Sequence, residues 1–221
     1  MYAESHPSLP NYIAMTSGST QGITDDSGPS SHPLNVASIF SQLGSGWKSL
    51  EEDMPSNCYM GNSGNYAVRH NPATYYTNIT SQCAAQDVPL GSSPDLSARF
   101  TFVTPNLCND MHSCPTQSDI ATEVKTGDTW LSTFIPKLTS TAQYQAGNTV
   151  IFLTWDEDDY SSSNANHIAT IVISPSTPAG LSVTSRFDHY SMLRTTEDLL
   201  GLSAIGNAAS ASSMASAFHL R

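Results

Sequence analysis

The chain has 221 residues and carries 8 Lys and Arg against 19 Asp and Glu, which gives a formal charge of −11 at pH 7. So acidic a chain lacks the basic surface that nonspecific nucleic-acid binding or adsorption to an anionic membrane requires. No apolar run of the sequence approaches the roughly 20 residues of a membrane span. Its length favours one domain, and we predict a single domain over residues 1–221.

The first half of the chain predicts two helices. In chain order the predicted elements are a helix from Ser8 to Gly18, a helix over 36–43, an ambiguous segment over 47–53 that fits a strand leading into an acidic turn, and an irregular stretch over 54–98. Asn35 is the expected N-cap of the second helix, and Gly44 is expected to end it. An irregular stretch as long as 54–98 is usually functional when it lies inside a compact domain.

The second half of the chain predicts strands alternating with helices. In chain order the predicted elements are a strand over 100–104, a helix over 128–138 capped by Asp128, strands over 149–155 and 168–173, and a helix over 190–200. Residues 203–221 are expected to form a weakly ordered tail, with a short helix within the Ala/Ser-rich stretch 203–217 as the alternative. The run 149–155 is apolar on both faces, as in a parallel sheet covered by helices. This alternation predicts an α/β fold. We expect a three-layer α/β/α sandwich whose mostly parallel central sheet includes 100–104 and 149–155.

Four cysteines lie in loop-like segments rich in Asn, Ser and Pro. Three pairings are possible, and we favour the sequence neighbours, Cys58 with Cys83 and Cys108 with Cys114. No pair has the spacing of a zinc knuckle. Two disulfides indicate an oxidising compartment. We therefore expect a secreted protein whose signal peptide is not part of this chain, because residues 1–10 are polar and contain two prolines.

An acidic run follows the apolar segment 149–155. It consists of Asp156, Glu157, Asp158 and Asp159. Consecutive carboxylates repel one another unless a cation or a basic group offsets them, and hard divalent cations prefer such oxygen ligands. The run is therefore either a metal or phosphate site or a solvated acidic turn, and the residues alone leave both interpretations open.

Ser8 is the second candidate, at the start of the first predicted helix. A hydroxyl there can face a phosphate held by free backbone N–H groups and the helix dipole. The alternative is that Ser8 is only an N-cap. Five histidines could each be a surface or packing residue when taken singly: His6, His70, His112, His167 and His189.

Taken together, segments along most of the chain resemble the phosphoesterase family. The first set is Glu4-Ser5-His6-Pro7-Ser8-Leu9-Pro10-Asn11-Tyr12, Thr16-Ser17-Gly18, Trp47 with Glu51-Glu52-Asp53-Met54-Pro55, and Arg69-His70-Asn71-Pro72. The second set is Thr104-Pro105-Asn106, Asn109-Asp110-Met111-His112, Gly127-Asp128, Trp130-Leu131, Thr154-Trp155-Asp156-Glu157-Asp158-Asp159 and His189-Tyr190-Ser191. This family contains secreted acid phosphatases and bacterial phospholipases C, and it belongs to the alkaline phosphatase superfamily. Over residues 3–202 the likeness is closest to the acid phosphatases, which include mycobacterial enzymes acting on phosphoinositides.

The resemblance implies an alkaline-phosphatase-like fold and a serine nucleophile. Ser8 matches the superfamily nucleophile, a Ser or Thr that precedes a short Leu/Phe-Pro-Asn stretch at the start of a helix. It would attack phosphorus and form a phosphoseryl intermediate, which water then cleaves. Asn11, which completes the stretch, is assigned to substrate binding on the same grounds.

The resemblance also implies a metal site. Asp156 and Glu157 match the acidic pair after the metal-site strand, where one divalent ion such as Mg²⁺ or Ca²⁺ would be held together with Ser8. That ion would lower the pKa of the Ser8 hydroxyl and neutralise the phosphoryl oxygens.

Further residues of the pocket follow from the same likeness. Asp110 and His112 would complete it, with His112 donating to the phosphate or to the leaving oxygen. His70 and His189 would bind substrate at the rim. His167 lies near the position of a metal-site histidine in related branches of the superfamily.

The start of the chain departs from the family pattern. Members begin with a buried strand that ends in Glu-Asn and supplies metal and phosphate contacts, about 30 residues before the Ser-His-Pro segment. This chain opens instead with Met1-Tyr2-Ala3-Glu4-Ser5-His6-Pro7. We therefore expect an N-terminally truncated domain that lacks a central strand and part of the site.

Three functions are compatible with the resemblance. The first is hydrolysis of a small phosphate monoester or phosphoinositide by an acid-phosphatase-type enzyme, acting as a monomer without nucleic acid or stable membrane insertion. The second is a phospholipase C-like phosphodiesterase, although no large lipid-binding extension is recognisable. The third is a catalytically impaired, truncated relative that only binds phosphate.

Overall fold

The computed structural model describes residues 1–112, 114, 119–160 and 165–221. The chain divides into two compact units. The first unit comprises Met1–Ser27, Asn35–Gln42 and Ala146–Arg221, and the second comprises Gly28–Leu34 and Leu43–Gln145. Helices and strands occur in both units, which confirms the predicted α/β class.

The described residues form the following elements. The helices are α1 (Ser8–Ser17), α2 (Ile39–Leu43), α3 (Thr80–Gln86), α4 (Ile120–Thr139), α5 (Ala142–Gln145) and α6 (His189–Leu200). The strands are β1 (Trp47–Glu51), β2 (Asp87–Pro89), β3 (Phe100–Thr104), β4 (Ile151–Thr154) and β5 (Thr170–Ile173). Short 3₁₀ turns cover Val68–His70, Pro72–Tyr75, Thr77–Ile79 and Gly206–Ala209. Among the described residues no helix combines the length and the apolar character that crossing a membrane would require.

A parallel three-stranded sheet organises the second unit. Its strand order is β2-β1-β3, and the central Ser49 pairs with Asp87 on one side and Phe102 on the other. The middle strand is the most buried, with Trp47 fully enclosed. β3 occupies the predicted residues 100–104. The irregular stretch predicted over 54–98 contains α3, β2 and three of the 3₁₀ turns.

The pairing of the apolar segment 149–155 differs from the prediction. β4 pairs with β5 in an antiparallel two-stranded sheet, with Ile151 opposite Ile173 and Thr154 opposite Thr170. A parallel neighbour would need a crossover connection, usually a helix, and the described part of residues 155–169 contains none. An antiparallel partner needs only a loop. Apolar residues on both faces therefore do not distinguish these two pairings.

The core of the first unit is built on α1. Every residue of this helix is buried, and α1 packs against α6. Gly18 ends α1 with φ of +73°, and its main-chain oxygen accepts a 2.7 Å hydrogen bond from the Asn207 N–H. A Cβ on Gly18 would lie 2.3 Å from the Ile205 oxygen, and one on Gly206 would lie 2.5 Å from the Gly18 oxygen. Two backbones thus touch at this point with no space for a side chain.

Two predicted boundaries need correction. α4 begins at Ile120, because the Asp119 carboxylate accepts the Thr122 N–H at 2.9 Å and so provides the N-cap predicted for Asp128. The first two turns of α4 are largely exposed, so the apolar pattern reveals only its second half. Asn35 is exposed and caps no helix, since α2 begins only at Ile39.

The predicted weakly ordered tail, 203–221, is packed in the structure. It buries Ala208, Met214 and Leu220. The Met214 N–H donates to Thr195 Oγ1 of α6 at 2.7 Å. Small Ala and Ser side chains allow close packing, which low hydrophobicity alone did not indicate.

Both predicted disulfides are confirmed in the second unit. Cys58 bonds to Cys83 with a Cα–Cα distance of 5.4 Å, and Cys108 bonds to Cys114 with a Cα–Cα distance of 4.4 Å. Every cysteine of the chain is paired in this way.

Candidate active site

Ser8 begins α1 without capping it. The N-cap position is occupied by Pro7, and no side chain closes the helix at that residue. The Ser8 hydroxyl donates instead to Glu157 Oε1 at 2.9 Å, across 149 residues of sequence. The following N–H, that of Leu9, donates to Asp26 Oδ1 at 2.9 Å. The simple N-cap interpretation of Ser8 is therefore wrong, and one of the backbone N–H groups expected to be free for phosphate already has a carboxylate partner.

His6 contacts two members of the acidic run. Its Nδ1 is hydrogen-bonded to Glu157 Oε2, and its Nε2 lies 3.4 Å from Asp158 Oδ1. The imidazole also lies against the Tyr160 ring, with centroids 3.9 Å apart. Each oxygen of Glu157 thus has a partner from the segment that carries Ser8.

Asp156 has one unsatisfied oxygen. Its Oδ2 is buried and has no hydrogen-bond partner among the described residues. Its main-chain oxygen accepts a 2.7 Å hydrogen bond from His189 Nε2. A buried carboxylate oxygen without a partner is costly, which makes this atom a natural cation ligand.

His189 lies behind Asp156 rather than on an open rim. The ring is fully buried, and this burial lowers the pKa of His189 below its usual value. A neutral imidazole that donates to the Asp156 backbone fixes the position of that residue. The structure does not expose His189 to a substrate, contrary to its predicted place at the rim.

Asn11 is likewise buried, and its amide groups bond to the chain itself. Oδ1 accepts the N–H groups of Glu4 and Ser5 at 2.9 and 3.0 Å, and Nδ2 donates to the Ser5 oxygen at 2.8 Å. These bonds fix the turn that leads into Ser8. In the structure Asn11 shapes this turn and presents no free polar group to a substrate.

Asn166 joins the acidic run to the segment that contains His6. Its Oδ1 accepts the Asp158 N–H at 2.8 Å, and its Nδ2 donates to the Ser5 oxygen at 2.8 Å. Sequence analysis did not single out Asn166. The available signal was weak: Asn tolerates a positive φ, which is +60° here, just before the predicted strand 168–173. His167, beside it, places its ring 4.7 Å from that of Tyr2.

Two carboxyl groups of the first unit have raised pKa values. Burial and the neighbouring Asp156 raise the pKa of Glu157, against the opposing effect of the hydrogen bonds from His6 and Ser8. Burial and the Asp188 charge raise the pKa of Glu4 to about 7. The site is thus rich in carboxyl groups and poor in cations to offset them.

The second unit brings together three other predicted site residues. His70 Nδ1 lies 3.2 Å from Asp110 Oδ2, and the His112 N–H donates to Asp110 Oδ1 at 2.8 Å. The rings of His70 and His112 meet edge to face with centroids 5.6 Å apart. Asp110 and His112 lie within the loop closed by the Cys108–Cys114 disulfide.

A buried pair of acidic residues in the same unit was missed by sequence analysis as a chemical feature. Glu51 Oε1 accepts from Ser49 Oγ at 2.7 Å, and both oxygens of Asp87 lie 3.0 Å from Asn71 Nδ2. Burial and the mutual proximity of the two carboxyl groups raise the pKa of Glu51, and burial raises that of Asp87 to about 7. Their spacing in sequence gave no sign that β1 and β2 would be neighbours.

The donor groups of the first unit fit a cation better than those of the second. Among the described residues one set of three potential ligand atoms lies close together, on Cys58, Cys83 and Asp87, but its two sulfurs form a disulfide. In the first unit the unpartnered oxygen of Asp156 adjoins Glu157 in sequence, and Glu157 contacts Ser8. Asp156, Glu157 and Ser8 stay the predicted ligands of a divalent ion.

Comparison with known proteins identifies the class to which this fold and site correspond. The profile of the Phosphoesterase family matches residues 1–203, and the chain belongs to that family. The predicted family resemblance is thereby confirmed. Together with the relatives described next, this membership supports a phosphoric ester hydrolase.

Three curated relatives are similar over nearly the whole chain. A phosphatidylinositol-3-phosphatase of Mycobacterium tuberculosis is 30% identical over 218 residues, which cover 95% of this chain and 68% of that protein. A phosphate-repressible acid phosphatase of Penicillium chrysogenum is 27% identical, over 93% of this chain and 52% of its own length. An acid phosphatase of Aspergillus fumigatus is 29% identical, over 93% and 48%. The chain therefore spans about half the length of the fungal relatives.

Proposed function

We propose that this protein is a phosphomonoesterase of the acid phosphatase type that uses Ser8 as its nucleophile. The observation that supports this role best is the hydrogen bond from Ser8 Oγ to Glu157 Oε1. A nucleophilic hydroxyl needs an adjacent group that can accept its proton, and Glu157 lies at hydrogen-bond distance. The names of the relatives, two acid phosphatases and a phosphoinositide phosphatase, agree with this chemistry.

The reaction would proceed in two displacements. Ser8 Oγ would attack phosphorus as its proton passes to Glu157, the bond from phosphorus to the leaving oxygen would break, and a phosphoserine would form. Water would then attack the phosphoserine and release inorganic phosphate and the free serine. His6, hydrogen-bonded to the other oxygen of Glu157, would keep that carboxylate in place throughout.

A divalent cation belongs to this proposal. Asp156, Glu157 and Ser8 would hold it, and when bound it would lower the pKa of the Ser8 hydroxyl and offset the charge on the phosphoryl oxygens. The buried, unpartnered oxygen of Asp156 is the structural observation in its favour. The roles of Asp110 and His112 at the phosphate, and of His70 at the rim, stay predictions from the family resemblance.

The substrate class is the second part of the proposal. We assign small phosphate monoesters, with phosphoinositides included because of the mycobacterial relative. The two disulfides favour an oxidising, extracellular location.

Parallel assays of p-nitrophenyl phosphate and bis(p-nitrophenyl) phosphate test this function. The disulfide-bonded protein is dialysed against EDTA, and each assay is run before and after Mg²⁺, Mn²⁺ or Ca²⁺ is restored. Hydrolysis of the monoester that returns with metal supports the proposal. Preference for the diester would favour the phosphodiesterase alternative, whereas phosphate binding without turnover would favour the impaired relative.

A further inference from the structure

We propose that His6 is a positioning residue that fixes the Glu157 carboxylate toward Ser8, an inference that rests on the function proposed above. His6 reaches the site from the turn before α1, whereas Glu157 follows β4, so a fold that brings these segments together is required. In the sequence His6 is separated from Glu157 by 151 positions, and on its own it has no more claim to a role than any other histidine.

Both ring nitrogens of His6 contact carboxylates of the acidic run. Nδ1 is hydrogen-bonded to Glu157 Oε2, while Nε2 lies 3.4 Å from Asp158 Oδ1. With Oε2 engaged by the ring, Oε1 is the oxygen that receives the Ser8 hydroxyl at 2.9 Å. One imidazole therefore determines which oxygen of Glu157 meets the nucleophile.

The surroundings hold the imidazole itself in place. The centroid of the Tyr160 ring lies 3.9 Å from that of the imidazole, and the Tyr160 N–H donates to Asp158 Oδ1 at 3.0 Å. Asn166 ties the Ser5 backbone, next to His6, to the backbone of Asp158. The segment that carries His6 and the acidic run are thus connected to each other, as expected around a residue that orients a reactive group.

A carboxylate in this run needs such an anchor. Glu157 has a long side chain with acidic neighbours on both sides, so repulsion and rotamer freedom would both move its carboxylate away from a fixed position. Without His6, we expect Glu157 to sample conformations in which Ser8 has no proton acceptor. Outer partners of this kind typically contribute about 10- to 100-fold to metal affinity or activity.

NMR of the histidine side chains tests the contact without reference to activity. In the parent protein we expect His6 Nδ1 to carry a proton that is protected from exchange, and we expect its ¹⁵N resonance to shift in Glu157→Ala. A His6 ring whose Nδ1 is unprotonated, or whose resonance is the same in the parent and in Glu157→Ala, would overturn the proposal. This measurement shows whether His6 contacts Glu157 even if the protein turns over no phosphate ester.

Kinetics on p-nitrophenyl phosphate test the consequence. His6→Ala should lower kcat by about 10- to 100-fold with KM unchanged, because His6 positions the proton acceptor of Ser8 and does not bind substrate. His6→Asn should recover most of kcat, since its Nδ2 can replace Nδ1 while the contact to Asp158 is lost. His219→Asn, the same replacement at an exposed histidine of the same unit, should behave as the parent.

The outcomes separate the two proposals. If His6→Ala keeps the parent kcat, or if His6→Asn is as slow as His6→Ala, His6 does not position Glu157. If Ser8→Ala keeps turning over substrate, the proposed nucleophile is wrong, and the NMR measurement still decides whether His6 holds Glu157. If His6→Ala does not fold, the kinetics of His6→Asn and the histidine NMR spectra of the parent and of Glu157→Ala still test the proposal.

Discussion

Asn11 and Ser5 exchange two hydrogen bonds: the Ser5 N–H donates to Asn11 Oδ1 at 3.0 Å, and Asn11 Nδ2 donates to the Ser5 oxygen at 2.8 Å. A buried amide on α1 thereby closes the turn that precedes the candidate nucleophile. The conformation of this turn depends on the Asn11 amide together with Asn166, whose Nδ2 donates to the same Ser5 oxygen at 2.8 Å.

Replacement of this amide tests that dependence. Asn11→Ala leaves the partly buried N–H groups of Glu4 and Ser5 without this acceptor, so we expect a loss of about 2 kcal/mol in the free energy of unfolding. Urea denaturation measures it. Asn35→Ala is the control, because Asn35 is exposed and caps no helix, and its effect should be below about 0.5 kcal/mol. Equal effects of the two substitutions would contradict this account of the turn.

Ser8→Ala should remove turnover and leave the fold intact. Loss of a nucleophile that forms a covalent intermediate lowers kcat by about 1,000-fold or more, and no helix cap is lost because Ser8 does not cap α1. Ser17→Ala makes the same replacement at the other end of α1, where the hydroxyl bonds to the Ile13 oxygen, and should keep kcat. Initial rates on p-nitrophenyl phosphate decide between them. Parent-like turnover by Ser8→Ala would exclude the serine mechanism.

Metal affinity should depend on Asp156 and Glu157. We expect Asp156→Asn and Glu157→Gln each to weaken Mn²⁺ binding, as measured by calorimetric titration of the EDTA-treated protein, because each removes a charged oxygen ligand. Asp198→Asn is a matched control, since Asp198 lies at the end of α6 in an ion pair with Arg194. Undiminished Mn²⁺ affinity in both variants would place the metal elsewhere or remove it from the mechanism.

The buried pair Glu51 and Asp87 should make the second unit less stable as the pH rises. Both carboxyl groups have a higher pKa in the folded state than in the unfolded state, with Asp87 at about 7 against an ordinary value of 3.8. The stability that the two protonated carboxyl groups contribute is fully present below their pKa in the unfolded state. It is lost as the pH rises through their pKa in the folded state. The urea concentration at the unfolding midpoint should therefore decrease as the pH is raised from about 4 to about 7.

Neutral substitutions test this pH dependence. Asp87→Asn keeps an acceptor for the Asn71 amide and removes the titration, so the urea midpoint of this variant should vary less over that pH range. Asp95→Asn should retain the parent slope, because Asp95 is half exposed and its hydrogen bonds to Ser97 lower its pKa. A parent-like slope in Asp87→Asn would exclude this residue as the source.

The two disulfides should contribute unequally to stability. Cys58 and Cys83 are 25 positions apart, whereas Cys108 and Cys114 are 6 apart. On loop-closure entropy the longer loop is worth about 3 to 4 kcal/mol and the shorter about 2 kcal/mol. Urea denaturation of the two double Cys→Ser variants compares them. A larger loss from the shorter loop would mean that contacts within that loop outweigh chain entropy.

Local signals in the sequence were sufficient for some of these features. Gly18 and Gly201 terminate α1 and α6 as their patterns predict, since glycine accepts the left-handed conformation that both positions adopt. The disulfides followed from neighbouring cysteines in polar loops. Ser8 and the acidic run were recognisable because a family motif and a run of like charges are both local.

Features that depend on distant segments were not recognisable. The antiparallel partner of β4 is chosen by the intervening connection, which an apolar run does not encode. Asn166 and Asp87 owe their significance to contacts that no pattern around them indicates. His6 lies in a family motif, but its contact with Glu157 depends on a segment 151 positions away. His189 was assigned to a substrate rim because its motif resembles the family, but its burial depends on how α6 packs against α1.

The contact between Gly18 and Gly206 has a consequence for mutational tolerance. Backbone meets backbone there, so even a methyl group at either position must push α1 away from the turn that follows α6. Because α1 carries Ser8 at its opposite end, displacement of one end tilts the other. Two residues with no side chain and no chemistry are therefore expected to be as intolerant of replacement as the nucleophile, for a reason that lies wholly in the space between two main chains.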